Sequence, residues 1–157
     1  MKIGILSDTH DNLSQVEKAV IFFNRKKTGF VFHAGDFVAP FTVLRLKELF
    51  CPWQGVFGNN DGEKKGLRLV SEGKIGPGPL RLSAAGTDIV VVHDIQTLDL
   101  KKEKARLIIF GHSHKPEIIN EPGRLLVNPG ECGGWLTGRS TVAVADTEKM
   151  SARIFTL

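Results

Sequence analysis

The feature of this chain that most restricts its fold is a series of short apolar runs, each followed at once by polar residues. The first run, Lys2–Leu6, has the length of a buried strand, and Asp8 and His10 follow directly after it. In an extended segment, side chains two residues apart point the same way. We therefore expect a carboxylate and an imidazole to project together from the carboxyl end of the first strand, where open α/β sheets form their sites.

The first third of the chain predicts alternating strands and helices. Strands are expected at Lys2–Leu6, Phe30–His33 and Trp53–Phe57, and helices at Leu13–Arg25 and Pro40–Leu49. Each predicted strand ends in a polar or glycine-containing turn. This βαβαβ order is typical of a parallel sheet with helical crossovers.

The rest of the chain has a different pattern. Lys64–Ser71 is a candidate helix, and Gly73–Pro79 is expected to be a surface loop because it is rich in glycine and proline. Leu107–Phe110 is a further strand, and Ile95–Lys104 has room for one or two helical turns. Three hairpins are predicted, formed by Leu80–Ser83 with Asp88–Val92, Glu117–Asn120 with Leu125–Val127, and Thr141–Ala145 with Ala152–Leu157.

Length and composition fit a globular protein of one domain. No linker divides the 157 residues, so we expect residues 1–157 to form a single domain. The two cysteines form no CxxC motif, which argues against a zinc ribbon or a disulfide scaffold.

No signal peptide or apolar run of membrane-spanning length is present, so we expect a cytoplasmic protein without membrane association. The net charge of +4 mildly favours anionic ligands, but no basic stripe with interleaved aromatics predicts nucleic acid binding.

Five predicted strand ends carry side chains of the types that bind metal ions. They are Asp8 with His10, Asp36, Asn59, His93, and His112 with His114. Imidazoles mixed with carboxylate and amide oxygens suit Mn²⁺, Fe²⁺, Co²⁺, Ni²⁺ or Zn²⁺, whereas Ca²⁺ prefers oxygen ligands alone. Seven ligands are too many for one tetrahedral ion and suit two ions that share a carboxylate. Such a pair can hold a bridging hydroxide and clamp a phosphoryl oxygen.

Each of these motifs taken alone also has a structural explanation. Asp36 and the pair Asn59-Asn60 could be ordinary turn residues, and a single D-x-H could be a helix cap beside a surface histidine. The two histidines of G-H-S-H are harder to explain by packing. His33 lies inside an apolar strand and is expected to be a buried, hydrogen-bonded structural residue. The combined pattern at five strand ends favours the metal site.

The order D-x-H, G-D, G-N, H, G-H-x-H resembles the calcineurin-like metallophosphoesterases, and most of all their small single-domain bacterial and archaeal phosphodiesterases. The resemblance runs from the first strand through N-P-G-E to the last hairpin. It implies an α/β (α+β) fold of four layers, α/β/β/α, with two mixed β-sheets flanked by helices. It also implies a divalent-metal-dependent phosphodiesterase that hydrolyses phosphoester bonds with a metal-bridging hydroxide as nucleophile.

The resemblance further implies two divalent metal ions per chain, with Mn²⁺ expected first and Ni²⁺, Co²⁺, Fe²⁺ or Zn²⁺ as alternatives. By matched position the ligands would be Asp8, His10 and His114 for the first ion, Asn59, His93 and His112 for the second, and Asp36 as the bridge. Asn59, Asn60 and His112 are also expected to contact the substrate. The expected partner is a small phosphodiester, and relatives suggest a homodimer or homotetramer.

Two positions depart from the family pattern. Many relatives have a histidine after the G-N asparagine, where it is thought to protonate the leaving group, but here Asn60 and then Asp61 follow. Relatives often read H-G-H where this chain reads His93-Asp94-Ile95. The general acid is therefore unknown, and Asn60, Asp61 and Asp94 are the candidates for a substitute. We expect turnover mainly of diesters with good leaving groups, because general acid catalysis is typically worth about 10²–10⁴ in rate.

Two other functions compete with this one. A catalytically weak or inactive scaffold of the same fold is the main alternative, since one subunit of the retromer sorting complex has this fold without its catalytic ligands. The presence of all seven ligand types argues against it. A nuclease is less favoured, because nuclease relatives usually carry a capping domain for which 157 residues leave no room.

Overall fold

The computed structural model describes all 157 residues. Its strands are β1 (Lys2–Leu6), β2 (Phe30–His33), β3 (Trp53–Val56), β4 (Ile75–Gly76), β5 (Leu80–Ala84), β6 (Thr87–Val91), β7 (Leu107–Ile109), β8 (Glu117–Glu121), β9 (Arg124–Asn128), β10 (Thr141–Asp146) and β11 (Ser151–Thr156). Its α-helices are α1 (Leu13–Lys26), α2 (Phe41–Leu46) and α3 (Lys64–Val70), and Ile95–Thr97 forms one 3₁₀ turn. None of these helices has the length and apolarity needed to cross a bilayer.

The strands form two mixed sheets, as predicted. The first sheet has the order β11-β10-β1-β2-β3-β4, in which β1 to β4 are parallel and β10 and β11 are antiparallel additions. The second sheet has the order β5-β6-β7-β9-β8, in which β6, β7 and β9 are parallel and the two edge strands are antiparallel. Loops that follow the parallel strands of both sheets supply the polar residues of the site described below.

The two sheets pack face to face, and helices cover the outer face of the first. Side chains buried between the sheets include Ile3, Ile5, Phe32, Ile89, Val91, Leu107, Ile109 and Val127. On the outer face of the first sheet, Phe23 of α1, Val43 of α2 and Leu67 of α3 belong to one buried cluster with Val31 and Ile75 of the sheet. Burial of these apolar faces from water fixes the relative positions of the layers.

The outer face of the second sheet has no α-helix. Its residues Val90 and Ile108 are covered by Ile95, Leu98 and Leu100, which belong to a mostly irregular segment. The one or two helical turns predicted for Ile95–Lys104 are present only as the 3₁₀ turn. The four-layer arrangement is therefore present, but this chain builds its fourth layer mainly from irregular structure.

Two segments differ from the prediction by more than one residue at an end. The segment Gly73–Pro79 is not entirely a loop, because Ile75 and Gly76 pair with Gly55 and Val56 as the edge strand β4. Ile75 is fully buried, so burial of its side chain favours a strand despite the surrounding glycines and prolines. The helix predicted at Pro40–Leu49 ends at Leu46 and continues as turns.

Candidate metal centre

The predicted ligands lie in the loops that follow β1, β2, β3, β6 and β7. The loop after β3 shows why its glycine is needed. A Cβ atom at Gly58 would collide with the carboxylate and the backbone nitrogen of Asp36. Glycine at this position therefore lets the loop after β3 approach the loop after β2, so that Asn59 and Asn60 come beside Asp36.

The first cluster contains Asp8, His10, Asp36 and His114, whose ligand atoms all lie within 4.8 Å of one another. His10 Nε2 is 3.6 Å from Asp36 Oδ2, and His114 Nε2 is 3.6 Å from Asp8 Oδ1. The two carboxylates are buried, while both histidines are partly exposed. Burial raises the pKa of Asp8, against lowering by the Ser7 side chain and by nearby histidines.

The first cluster contains buried polar atoms that a cation would satisfy. Asp8 Oδ1 and His10 Nε2 are buried but have no hydrogen-bond partner in the protein. A buried polar atom left without a partner costs about 1–3 kcal/mol, so native proteins rarely keep one without a reason. A divalent ion between these atoms would satisfy both, and the mixture of imidazole and carboxylate suits a first-row transition metal.

The second cluster is centred on Asn59. Its Oδ1 atom is 2.8 Å from His93 Nε2 and 2.9 Å from His112 Nδ1. The other ring nitrogen of His93, Nδ1, donates its proton to the carbonyl oxygen of Ala34 at 2.8 Å. Nε2 of a neutral His93 therefore presents a lone pair beside the Asn59 oxygen, which is also an acceptor. A shared cation, or a second proton on His93, would satisfy both atoms, and such a backbone contact is common behind metal-binding histidines.

Asp36 lies between the two clusters. Its Oδ2 atom is 3.6 Å from His10 Nε2 and 3.5 Å from His93 Nε2. Asn60 holds this carboxylate with two hydrogen bonds of 2.8 Å, from its backbone nitrogen to Oδ1 and from Nδ2 to Oδ2. The fold thus brings all seven predicted ligands together, with the residue predicted to be the bridge in the middle.

Asp8 and His10 converge, but not through the extended backbone that their spacing predicts. Both residues have positive φ, 53° and 43°, so the chain turns here and is not extended. Three other predicted ligands share this left-handed backbone, namely Asp36, His112 and His114. Non-glycine residues at positive φ each cost of order 1–3 kcal/mol and cluster at functional sites, where the surrounding structure holds them in place.

The three candidate acids each make a contact that serves the structure. Asn60 has no titratable proton, and its amide binds Asp36. Asp61 is buried and accepts backbone N–H groups of Asp36, Val38 and Gly58 at 3.2, 2.7 and 2.7 Å. Its pKa is raised by burial, against lowering by the hydrogen bonds from Gly58 and Val38. Asp94 accepts the backbone N–H of Gln96 at 2.9 Å and thereby caps the 3₁₀ turn.

Sequence reasoning gave no role to Glu131, which lies behind His114. Glu131 is fully buried, and its Oε1 atom is 3.5 Å from His114 Nδ1. Burial acts to raise the pKa of Glu131, but hydrogen bonds from Leu136 and Thr137 and the nearby His114 lower it overall. The only signal in the sequence was the N-P-G-E turn, in which Glu131 is an acidic residue beside glycine.

Two further polar residues hold the ligand loops. Asn128 is fully buried and donates from Nδ2 to the carbonyl oxygen of Gly111 and to Ser113 Oγ, both at 3.0 Å, which fixes the G-H-S-H loop. His33 is fully buried, and both of its ring nitrogens have partners, Thr9 Oγ1 at 3.0 Å and the backbone N–H of Gly35 at 3.1 Å. Its predicted structural role is confirmed, and burial holds its pKa well below the usual value.

Comparison with known proteins agrees with this geometry. The sequence model of the calcineurin-like phosphoesterase superfamily domain matches residues 1–150. The chain belongs to this superfamily. It is 34% identical to a phosphodiesterase of Methanocaldococcus jannaschii over 161 aligned positions, which cover 98% of this chain and 97% of the relative. As a calcineurin-like phosphoesterase, the protein is a metal-dependent hydrolase of phosphoester bonds that uses divalent ions.

Solved structures show the same fold. One from a study of a novel archaeal phosphodiesterase aligns with a TM-score of 0.92 and 33% identity, covering 100% of both chains. Vps29 of Entamoeba histolytica complexed with Zn²⁺ aligns with a TM-score of 0.72 and 16% identity, covering 100% of this chain and 98% of that one. The second likeness concerns the fold alone, so these comparisons favour the phosphoesterase over the scaffold. The predicted α/β fold class with two mixed sheets is confirmed, although irregular structure takes the place of helices over the second sheet.

Proposed function

We propose that this calcineurin-like phosphoesterase is a phosphodiesterase that works with two divalent metal ions. The observation that carries the proposal is the position of Asp36. One of its oxygens lies 3.6 Å from a histidine of the first cluster and 3.5 Å from a histidine of the second. A carboxylate so placed is suited to bridge two ions, and Asn60 holds it in position with two hydrogen bonds.

In this proposal each cluster holds one ion. Asp8, His10 and His114 would hold the first ion, Asn59, His93 and His112 would hold the second, and Asp36 would contribute to both. Bound there, a pair of ions such as Mn²⁺ would supply a hydroxide nucleophile at neutral pH and would neutralise charge on the phosphoryl oxygens. The protein keeps the ligands aligned through the contacts of His93 with Ala34 and of His114 with Glu131.

The substrate approaches from the side of the second cluster. Asn59, Asn60 and His112 are exposed, whereas the carboxylates of Asp8 and Asp36 are buried beneath them. Amide and imidazole N–H groups can donate to the phosphoryl oxygens of a small diester at this surface. These three residues therefore orient the phosphate, while Asp36 binds the ions and does not contact the substrate.

The experiment is reconstitution of a chelator-stripped protein. Mn²⁺, Ni²⁺, Co²⁺, Zn²⁺ or Mg²⁺ is added back, and hydrolysis of bis(p-nitrophenyl) phosphate is measured in the wild type and in Asp36→Asn. Asp99→Asn serves as the control, because it makes the same chemical change at an exposed carboxylate away from the ligands. We expect a transition metal to restore hydrolysis in the wild type and the control but not in Asp36→Asn. Absence of activity with every metal, from folded protein, would instead favour the scaffold.

A further inference from the structure

An exposed tryptophan lies beside the first metal cluster. Trp135 is 65% exposed, and its indole Nε1 donates a hydrogen bond of 3.2 Å to the backbone carbonyl oxygen of His10, one of the proposed ligands. The other tryptophan of the chain, Trp53, is only 4% exposed and belongs to the core. The one polar group of Trp135 is therefore bonded to the loop after β1, which carries Asp8 and His10, while most of its ring is open to solvent.

The loop that carries Trp135 is hydrogen-bonded to the same loop after β1. The backbone nitrogens of Cys132 and Gly133 donate to the carbonyl oxygens of Ser7 and Asp8, both at 2.9 Å. Asn12 Nδ2 donates to the carbonyl oxygen of Gly133 at 2.7 Å. A Cβ atom at Gly133 would lie 2.7 Å from the carbonyl oxygen of Thr9, so glycine allows this close contact.

The far side of the loop is fixed as well. The backbone nitrogens of Leu136 and Thr137 donate to the buried carboxylate of Glu131 at distances of 2.9–3.2 Å. The ring of Trp135 is thus exposed on a segment anchored before and after it. An aromatic surface that is already positioned loses little conformational entropy when a ligand stacks on it, so more of the stacking energy remains as affinity.

We propose that Trp135 is a stacking platform that makes the site selective for phosphodiesters with an aryl or nucleobase substituent. The phosphate would bind at the metal clusters, and the aromatic ring of the same molecule would lie on the indole. Stacking of a base on an aromatic side chain is worth about 1–3 kcal/mol, which is sufficient to determine which diesters bind well. This inference rests on the proposed function, because it names the substrate class of that same site.

The neighbouring residue offers a matched control. Leu136 is also apolar and 78% exposed, but only its backbone is bonded to Glu131 and its side chain has no aromatic face. If exposed apolar area in this loop were all that mattered, Leu136→Ala and Trp135→Ala would have similar effects. If the hydrogen bond to His10 were all that mattered, Trp135→Phe would act like Trp135→Ala, because phenylalanine keeps a ring but has no N–H.

The test measures binding rather than turnover. Isothermal titration calorimetry of the Zn²⁺-loaded protein gives the Kd of two diesters that differ by the base, the 5′-(methyl phosphate) of adenosine and the 5-(methyl phosphate) of ribose. We expect wild type and Leu136→Ala to bind the nucleotide about tenfold more tightly than the sugar phosphate. Trp135→Ala should abolish this ratio and Trp135→Phe should keep most of it. The nucleotide should also quench the fluorescence of wild-type Trp135.

The outcomes separate this inference from the proposed function. Equal Kd values of the two ligands for the wild type would overturn the stacking platform, whatever the hydrolysis assay gives. A ratio that is lost equally in Trp135→Phe would overturn it too, in favour of a structural role through His10. An unchanged ratio in Trp135→Ala combined with an altered oligomeric state would assign the indole to a protein interface instead. A preserved ratio in a protein that hydrolyses no diester would support the platform while contradicting the diesterase.

Discussion

The carboxylate of Glu131 and the imidazole of His114 lie side by side, with Oε1 3.5 Å from Nδ1, on the edge of the ring opposite to the nitrogen that faces Asp8. A buried carboxylate in this position orients the ring toward a bound metal ion. We expect Glu131→Gln to lower the affinity for the first metal ion by about 10- to 100-fold. Calorimetric metal titration of chelator-stripped protein would measure this.

Glu103→Gln is the matched control for that variant. Glu103 also accepts two backbone N–H groups, from Lys104 and Ala105 at 2.9 Å, but it lies in the segment over the second sheet. Its substitution should leave the affinity for metal unchanged. Unchanged affinity in a folded Glu131→Gln protein would show that His114 needs no support from Glu131.

Metal binding should stabilise the fold. Asp8 Oδ1 and His10 Nε2 are buried without partners, and two buried carboxylates share the site. A ligand at 100 times its Kd that binds only the folded state adds about 2.7 kcal/mol. For a chain of this size we expect a rise in Tm of about 5–10 °C. Thermal denaturation with and without chelator checks this, and Asp36→Asn should lose most of the rise.

Asp61 should prove structural and not catalytic. Its carboxylate joins the loops after β2 and β3 by accepting the N–H groups of Val38 and Gly58. Asp61→Asn replaces one acceptor oxygen with an amide that opposes an N–H donor, so we expect a loss of about 1–3 kcal/mol in the free energy of unfolding. Urea denaturation measures the loss. A variant of full stability whose hydrolysis loses only its basic pH limb would instead identify Asp61 as the acid.

The rate of hydrolysis should depend steeply on the leaving group. Asn60, Asp61 and Asp94 each make a hydrogen bond within the protein, so we expect the departing oxygen to leave without general acid help. In a series of aryl methyl phosphates, we expect kcat/KM to fall strongly as the pKa of the phenol rises. A nearly flat dependence would show that a proton donor operates.

The two cysteines should differ in reactivity. Cys132 is fully buried, and burial together with the nearby carboxylates raises the pKa of its thiol to about 12. Cys51 is partly exposed. Because the thiolate is the reactive form, a disulfide reagent should label one thiol in the native protein and two after denaturation. Native Cys51→Ser should not react, and labelling of Cys132 in that variant would contradict the buried position.

The sequence predicted which residues meet but not how they are held. Asp8 and His10 could be recognised because they follow an apolar run, and parallel strands bring such loops to one edge. Their left-handed backbone could not be predicted, since positive φ at non-glycine residues is imposed by the surrounding contacts. An extended backbone predicts correctly that Asp8 and His10 lie close together, although the backbone is in fact turned at both residues.

Residues that support the site were harder to predict than its ligands. Glu131 and Trp135 act through partners that are distant in sequence, His114 and the backbone of His10. A lone acid in a glycine turn and a lone tryptophan in a loop each have many possible roles. Local pattern likewise failed at Ile75, because burial of its side chain in the core under the helices outweighed the glycine- and proline-rich surroundings.

The irregular segment that covers the second sheet has a consequence for local opening. Its backbone is held by a few turn hydrogen bonds such as Thr97 to Asp94 and Leu98 to Ile95, whereas the helices over the first sheet have regular ladders. Segments with few such bonds open well below the free energy of global unfolding. Amides of this segment should therefore exchange with deuterium first. Because His93 lies two residues before Ile95, the second metal cluster adjoins a segment that we expect to exchange early.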